Sequence, residues 1–134
     1  MRAYERLLKY VSVYTTSDPD SATVPSSMRQ YDLANILVDE LKALGLENVH
    51  VDENGVVYGW LSATAGCEQK PALGFIAHLD TAPDCSGENV KPQIIEHYDG
   101  GDVLLAGSGE TLSPAAFPGL KKLVGMTLIT TDGT

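Results

Sequence analysis

The order of elements along the sequence predicts an α/β fold, or a closely related α+β fold, with helices and strands arranged in layers. Three observations support this prediction: two helical stripes near the N-terminus, an alternating hairpin pattern after them, and then the nearly continuous apolar run "ALGFIA". Such a run is typical of a strand that is covered on both faces. With 134 residues, 43% hydrophobic and 20% charged, the chain is long enough for one globular domain with its own core.

Two helices are predicted in the first part of the chain. The first covers residues 3–13, should pack on a larger body, and is indicated by apolar residues at helical spacing, namely Tyr4, Leu7, Leu8 and Val11. The second follows the loop "TSDPDSATVPSS", with Ser26 or Ser27 as its N-cap. Gly45 should end it, because glycine suits the left-handed position after a helix.

The strands follow in a definite order. "NVHVDENGVVYGWL" predicts a hairpin that turns at Asn54 and Gly55, both of which tolerate positive φ. Residues 72–77 form the predicted buried strand, and "QIIEHY" and "DVLLA" are short strands joined across residues 99–101. One helical turn is expected at 118–124, before a final strand in "MTLITTDGT". Nothing in the sequence after this strand could pair with it or cover it, which indicates truncation.

Composition excludes several classes of function. The net charge of −9 argues against general affinity for nucleic acid or for anionic membranes. No window approaches the roughly 18 apolar residues of a membrane span, and the N-terminus lacks the pattern of a secretory signal. The two cysteines, Cys67 and Cys85, have no metal-type spacing and predict no disulfide framework. A cytoplasmic location is therefore expected.

The chemistry of the sequence centres on His78 and Asp80, directly after the predicted buried strand. Ligands bind beyond the carboxyl ends of strands in open α/β sheets, and residues i and i+2 of an extended segment point to the same side. The imidazole could bind a metal while the carboxylate holds its other nitrogen. The pair could also be the orienting half of a nucleophilic triad, although the chain has no G-x-S-x-G motif. A purely structural histidine is the third reading of this short pattern.

The other polar candidates favour structural roles. His50 and His97 fall within alternating strand patterns and should face solvent. Asp84 and Glu88 flank turns, and Cys85 is a lone loop cysteine without a nucleophile signature. "DENG" at 52–55 lacks the further ligands of a calcium loop, so a hairpin turn explains it better.

Long irregular segments of the chain resemble a known family. "HLDTAPDCSGENVKPQIIEHYDGGDVLL", "ETLSPAAFPGL" and "GMTLITTDGT" are similar to the peptidase T family of tripeptide aminopeptidases, dizinc metallopeptidases related to aminoacylases and carboxypeptidases. The resemblance implies a three-layer α/β/α catalytic domain with a mixed sheet, two zinc ions and a tripeptide substrate. It implies that His78 is a zinc ligand and that Asp80 is the catalytic-site carboxylate behind it.

The family pattern continues beyond the matching segments. The aspartate that bridges both metals, the general-base glutamate and a second, lid-like dimerisation domain follow in the family. Residues 1–134 are therefore expected to be the N-terminal portion of the catalytic domain, inactive alone and binding zinc weakly or not at all. The main alternative is a natural non-catalytic module that binds peptide or a partner subunit. A relative acting on another amide, such as an acylamino acid, is also open, and the final strand's uncovered edge predicts self-association.

Overall fold

The computed structural model describes residues 1–134 as a mixed α/β chain of helices and small antiparallel sheets. The elements in chain order are α1 (Ala3–Tyr10), α2 (Gln30–Ala43), β1 (Glu47–Val51), β2 (Val57–Trp60), β3 (Pro92–Ile95), β4 (Val103–Leu104), β5 (Thr111–Leu112), a 3-10 helix (Pro118–Leu123) and β6 (Leu128–Thr131). The strands pair as β1–β2, β3–β6 and β4–β5. The single mixed sheet of a three-layer domain, which the resemblance implied, stays a prediction. None of the helices has the length and apolar character needed to cross a membrane.

The chain divides into two compact units, one made of Val13–Glu88 and the other of Met1–Ser12 with Asn89–Thr134. In the first unit, α2 packs on the β1–β2 hairpin and buries Leu33 and Ala34. Gly59 allows close packing here, because a Cβ at this position would lie 2.9 Å from Leu46 Cδ2. The helix and the hairpin therefore share one small apolar contact.

Both ends of α2 have identifiable chemistry. Gly45 has φ of +87° and its N–H bonds the Lys42 carbonyl, while the Leu46 N–H bonds the Leu41 carbonyl. These two backbone hydrogen bonds form a Schellman motif, so the predicted helix end is confirmed. The predicted N-cap is wrong: the helix starts after Arg29, with no capping side chain. The Ser26 hydroxyl instead accepts a hydrogen bond from the Asp18 N–H at 3.1 Å.

The β1–β2 hairpin is confirmed, but its turn is wider than a two-residue turn. Strand pairing stops at Val51 opposite Val57, and Gly55 alone has the positive φ expected of the Asn-Gly pair. The Asp52 carboxylate closes the loop by accepting hydrogen bonds from the Asn54 and Val56 N–H groups, at 3.0 and 2.8 Å. These bonds, led by the one from Val56, lower the pKa of Asp52. "DENG" is thus a turn built around a carboxylate.

The buried strand predicted at residues 72–77 is wrong. This segment has no regular secondary structure, and its side chains are exposed. A strand covered on both faces needs a hydrogen-bonded neighbour and an apolar layer on each side. None of the three strand pairs includes this segment, and its apolar side chains are exposed to solvent.

The second unit has a core of Tyr98, Val103 and Leu128, with partly buried apolar residues around it. Tyr98 also donates its hydroxyl hydrogen bond to the Gly101 carbonyl, and burial raises the pKa of the phenol. β3 and β6 pair antiparallel, with Ile94 opposite Ile129. The predicted helical turn near 118–124 is confirmed as the 3-10 helix.

Three predictions for this second unit need correction. β6 does have a partner, β3, so the expectation that nothing pairs with the last strand is wrong. His97 is exposed as expected but lies in a turn with φ of +51°, because β3 ends two residues earlier at Ile95. Helix α1 ends at Tyr10 and buries none of its residues, and Leu7 is 48% exposed. The apolar stripe of α1 therefore does not form the close packing that the sequence suggested.

Candidate functional site

The segment that carries His78 and Asp80 is attached to the first unit just after Asp80. Thr81 forms an isolated parallel bridge with Thr16, and the two hydroxyl oxygens lie 2.8 Å apart. The Thr81 carbonyl accepts hydrogen bonds from the Ser17 N–H and hydroxyl, at 3.1 and 3.2 Å. Gly87 packs against the same two threonine hydroxyls, leaving no room for a Cβ. This contact fixes the chain at the C-terminal side of the candidate pair.

His78 and Asp80 contact each other, as their spacing predicted. His78 Nδ1 lies 3.1 Å from Asp80 Oδ1 and 2.7 Å from the Asp80 backbone oxygen. A carbonyl oxygen can only accept, so Nδ1 must carry the hydrogen and donate it. In a neutral imidazole this leaves the lone pair on Nε2, which is the nitrogen available to a metal or a proton. The His78 side chain is 83% exposed, so Nε2 is open to solvent.

The donor set fits one metal ligand and not a complete zinc site. Catalytic zinc takes three protein ligands, and the carboxylate behind His78 is already turned toward its Nδ1. No group of three or more His, Cys, Asp or Glu side chains lies close enough together to hold a metal ion. Within these residues His78 could contribute one nitrogen to a shared site, with Asp80 setting its tautomer.

The other sequence candidates form no metal-binding group with this pair. His50 is exposed on β1, stacked on Tyr58 with ring centroids 5.2 Å apart. Cys85 is a free, exposed thiol, as is Cys67. The Glu88 N–H donates to Ser86 Oγ at 3.2 Å within its own turn. The structure brings none of them to His78 or Asp80 as a metal-binding group.

Sequence reasoning missed the contact of Thr81 with Thr16 and Ser17. This contact holds the chain at Thr81, the residue that follows Asp80. The contact joins positions 65 residues apart, and both threonines lie in polar loops with no periodic pattern. No local signal in the sequence could have paired them.

Comparison with known proteins gives strong similarity to proteins named peptidase T. The chain is 55% identical to the one from Aliivibrio fischeri over 130 residues, which are 97% of this chain and 32% of that protein. It is 56% identical over 131 residues to the one from Geobacillus thermodenitrificans, and 54% identical over 134 residues to the one from Caldanaerobacter subterraneus. The predicted resemblance to peptidase T is confirmed.

The similarity to peptidase T has a defined extent. It covers nearly all of this chain, whereas the chain spans about a third of the length of the curated relatives it matches. The resemblance is to the N-terminal part of peptidase T. A scan against protein-family models finds no match.

Proposed function

We propose that residues 1–134 form the N-terminal portion of the catalytic domain of a zinc-dependent tripeptide aminopeptidase, which releases the N-terminal residue of tripeptides. The observation that carries this proposal is the 51–56% identity to proteins named peptidase T over 97% of the chain. In the proposed enzyme the domain is a three-layer α/β/α structure with a mixed sheet. The proposed location is the cytoplasm, without nucleic acid or membrane partners, in keeping with the net charge of −9.

The proposal gives His78 and Asp80 distinct roles. His78 binds one of two zinc ions through Nε2, which is exposed and free of the contact that holds Nδ1. Asp80 accepts the Nδ1 hydrogen bond, fixing the tautomer and the ring orientation and raising the basicity of Nε2. The zinc ions, when bound, supply Lewis acidity for activating water and for stabilising negative charge on the substrate carbonyl.

This chain alone supplies one ligand, so the isolated protein should lack peptidase activity and bind zinc weakly. We expect His78→Ala to change zinc affinity of the isolated chain little, measured by isothermal titration calorimetry. Tight, stoichiometric binding that disappears in this variant would contradict the proposed ligand count. The intact mass of the native gene product is an independent check, because a product of 14.3 kDa would favour a natural non-catalytic module.

A chimera tests the roles directly. Residues 1–134 replace the matching third of peptidase T from Aliivibrio fischeri, and tripeptide cleavage and bound zinc are measured. The unmodified chimera should cleave tripeptides. His78→Ala should reduce activity by at least about 100-fold and lower the zinc content, and Asp80→Asn should cost about 10- to 100-fold in activity or zinc affinity.

The matched control in the chimera is His50→Ala, which removes an exposed imidazole from β1. It should leave both activity and zinc content unchanged. A folded chimera that cleaves acylamino acids and not tripeptides would replace the substrate class and keep the metal site. A folded chimera in which His78→Ala retains full activity would overturn the metal role.

A further inference from the structure

The peptide unit between Asp80 and Thr81 connects the candidate pair to the rest of the first unit. His78 Nδ1 lies 2.7 Å from the Asp80 backbone oxygen, which is closer than its 3.1 Å from Asp80 Oδ1. The backbone oxygen belongs to a planar peptide group whose last atom is the Thr81 Cα. An interaction that fixes the backbone of Thr81 therefore restricts the direction in which this oxygen points at the imidazole.

Thr81 is held through both its side chain and its carbonyl. Its Oγ1 lies 2.8 Å from Thr16 Oγ1, and its carbonyl accepts hydrogen bonds from the Ser17 N–H and hydroxyl. Gly87 lies against both threonine hydroxyls, since a Cβ at this position would be 2.5 Å from Thr16 Oγ1 and 2.6 Å from Thr81 Oγ1. The glycine thus allows the chain to close over this hydroxyl pair.

Thr16 is the buried member of the hydroxyl pair. It is 8% exposed and follows Thr15, which is 2% exposed, whereas Thr81 is exposed. A buried hydroxyl that loses its hydrogen-bond partner costs about 1–3 kcal/mol, because water cannot replace the partner. The burial of Thr16 therefore favours a persistent contact with Thr81.

We propose that Thr16 is a positioning residue for His78. Its hydroxyl holds Thr81, and the peptide unit between Asp80 and Thr81 then keeps its oxygen on His78 Nδ1. A hydrogen held on Nδ1 leaves the lone pair on Nε2, the nitrogen that the proposed function gives to zinc. The inference rests on that proposed function for its consequence, and on the hydrogen bonds of this chain for its geometry.

The exposure of His78 explains why its tautomer would depend on a distant hydroxyl. Its side chain is 83% exposed, so water competes for both ring nitrogens. The preference for a hydrogen on Nδ1 then depends on how well the Asp80 oxygens are placed. Removing the Thr16 hydroxyl loosens Thr81 and with it the nearer of these two acceptors.

The His78 tautomer is measured directly in this chain by long-range proton–nitrogen correlation NMR, in alkaline buffer where the imidazoles are neutral. The wild type should carry the hydrogen mainly on Nδ1. Thr16→Val keeps the shape of the side chain and removes the hydroxyl, and should lower the ratio of the Nδ1–H to the Nε2–H form by at least about twofold. Thr16→Ser keeps the hydroxyl and should retain the wild-type ratio.

His50 is an internal control in the same spectra. Its Nδ1 lies 2.8 Å from the Asn48 backbone oxygen, a contact of the same kind and the same sequence spacing as that of His78. The His50 tautomer should be unchanged in every Thr16 variant, because this contact lies within β1. Thr15→Val, at the neighbouring buried threonine, is the matched substitution and should leave His78 as in the wild type.

A double-mutant cycle tests whether the two threonine hydroxyls act through one contact. Thr81→Val should change the His78 tautomer as Thr16→Val does, and the double variant should add little to either single substitution. Circular dichroism checks that each variant retains the wild-type fold. Fully additive effects would contradict a shared contact.

The chimera with peptidase T shows the consequence for the metal. Thr16→Val should weaken zinc binding at least about threefold, less than the 10- to 100-fold expected of Asp80→Asn, with recovery in Thr16→Ser. Competition with a chelator measures the affinity. A folded, unmodified chimera that binds no zinc would overturn the proposed function, while the tautomer in this chain would still decide the role of Thr16.

Three results would overturn the positioning role of Thr16. The first is a wild-type His78 with its hydrogen mainly on Nε2. The second is a tautomer ratio that is the same in Thr16→Val as in the wild type, or changed as much in Thr16→Ser as in Thr16→Val. The third is a change that His50 shares, since it would show a general loss of structure.

Discussion

Two runs of residues in this chain, 72–80 and 128–134, each place apolar residues before an aspartate and reach opposite structural outcomes. The aspartate is Asp80 in the first run and Asp132 in the second. Leu128 is 8% exposed and its strand pairs with β3, whereas Ile76 is fully exposed and unpaired. Apolar sequence is therefore not sufficient for a buried strand, because a backbone partner and a covering surface must also be present.

The two aspartates show the same difference at the level of hydrogen bonds. Asp132 accepts from the Thr134 N–H and hydroxyl through Oδ1, and its backbone oxygen accepts from the Gly107 and Ser108 N–H groups. Asp80 accepts only from the His78 ring among these interactions. The Asp132 carboxylate closes its own turn while the Asp132 backbone oxygen holds the neighbouring loop, whereas the Asp80 carboxylate contacts the imidazole of His78.

Hydrogen exchange should give the largest difference between the two runs. In the second run, the Asp132 amide donates to the Lys91 carbonyl at 2.9 Å, so its exchange requires opening of the second unit. At the lowest workable protein concentration, this amide should exchange at least about 100-fold more slowly than those of residues 72–77. Mass spectrometry with peptide resolution measures both. Equal protection of the two runs would show that 72–77 is paired within the monomer.

A pair of alanine substitutions compares the packing of the two runs. Leu128→Ala removes a core side chain and should lower the free energy of unfolding by about 2–3 kcal/mol. Ile76→Ala, at a fully exposed position, should change it by less than about 0.5 kcal/mol. Urea unfolding followed by circular dichroism gives both values. A loss above about 1 kcal/mol for Ile76→Ala would mean that this side chain is buried.

Glycine substitutions compare the backbones. Gly133 has φ of +88° and a Cβ there would press on Ser108, so Gly133→Ala should cost about 1–2 kcal/mol. Gly74 has open space around it and no positive φ, so Gly74→Ala should be nearly neutral. Gly45→Ala serves as the control for backbone strain alone, at about 1 kcal/mol, because its φ is +87° without any nearby atom. The same urea titration ranks the three variants by their loss in free energy of unfolding. A large loss for Gly74→Ala would contradict the open space around Gly74.

The pH dependence of stability should give the smallest effect. Hydrogen bonds from Thr134, and then the charge of Lys91, lower the pKa of Asp132 below its ordinary value of 3.8. A lowered folded-state pKa contributes stability that is present above that ordinary value and is lost as the pH falls through the folded pKa. Thermal unfolding between about pH 5 and pH 2 should therefore show a fall in stability that is reduced in Asp132→Asn. An identical fall in stability in the wild type and in Asp132→Asn would mean that other carboxyl groups cause it.

Local signals explain the parts of the fold that sequence reasoning predicted well. Gly45 ends α2 because the left-handed position suits glycine, and the β1–β2 hairpin follows from alternation around Asn54-Gly55. The contact between His78 and Asp80 also follows from adjacency in an extended segment. Each of these features depends on residues only a few positions apart.

Features that depend on distant partners could not be predicted in this way. Whether residues 72–77 are buried depends on which strands lie beside them, and periodicity carries no such information. The pairing of β3 with β6 could not be predicted for the same reason, because β4, β5 and the 3-10 helix lie between these two strands in the chain. The rule that a serine before a helix caps it also fails at Ser26, because its hydroxyl accepts a hydrogen bond from the Asp18 N–H and not from the start of α2.

The bridge between Thr16 and Thr81 has a consequence for the order of folding. It joins positions 65 residues apart, and closing such a loop costs on the order of 4 kcal/mol in chain entropy. The α2 helix and the β1–β2 hairpin lie inside this loop and need only short-range contacts, so they should form first and shorten the path between the threonines. His78 and Asp80 would then take their final place late, after the rest of their unit has condensed.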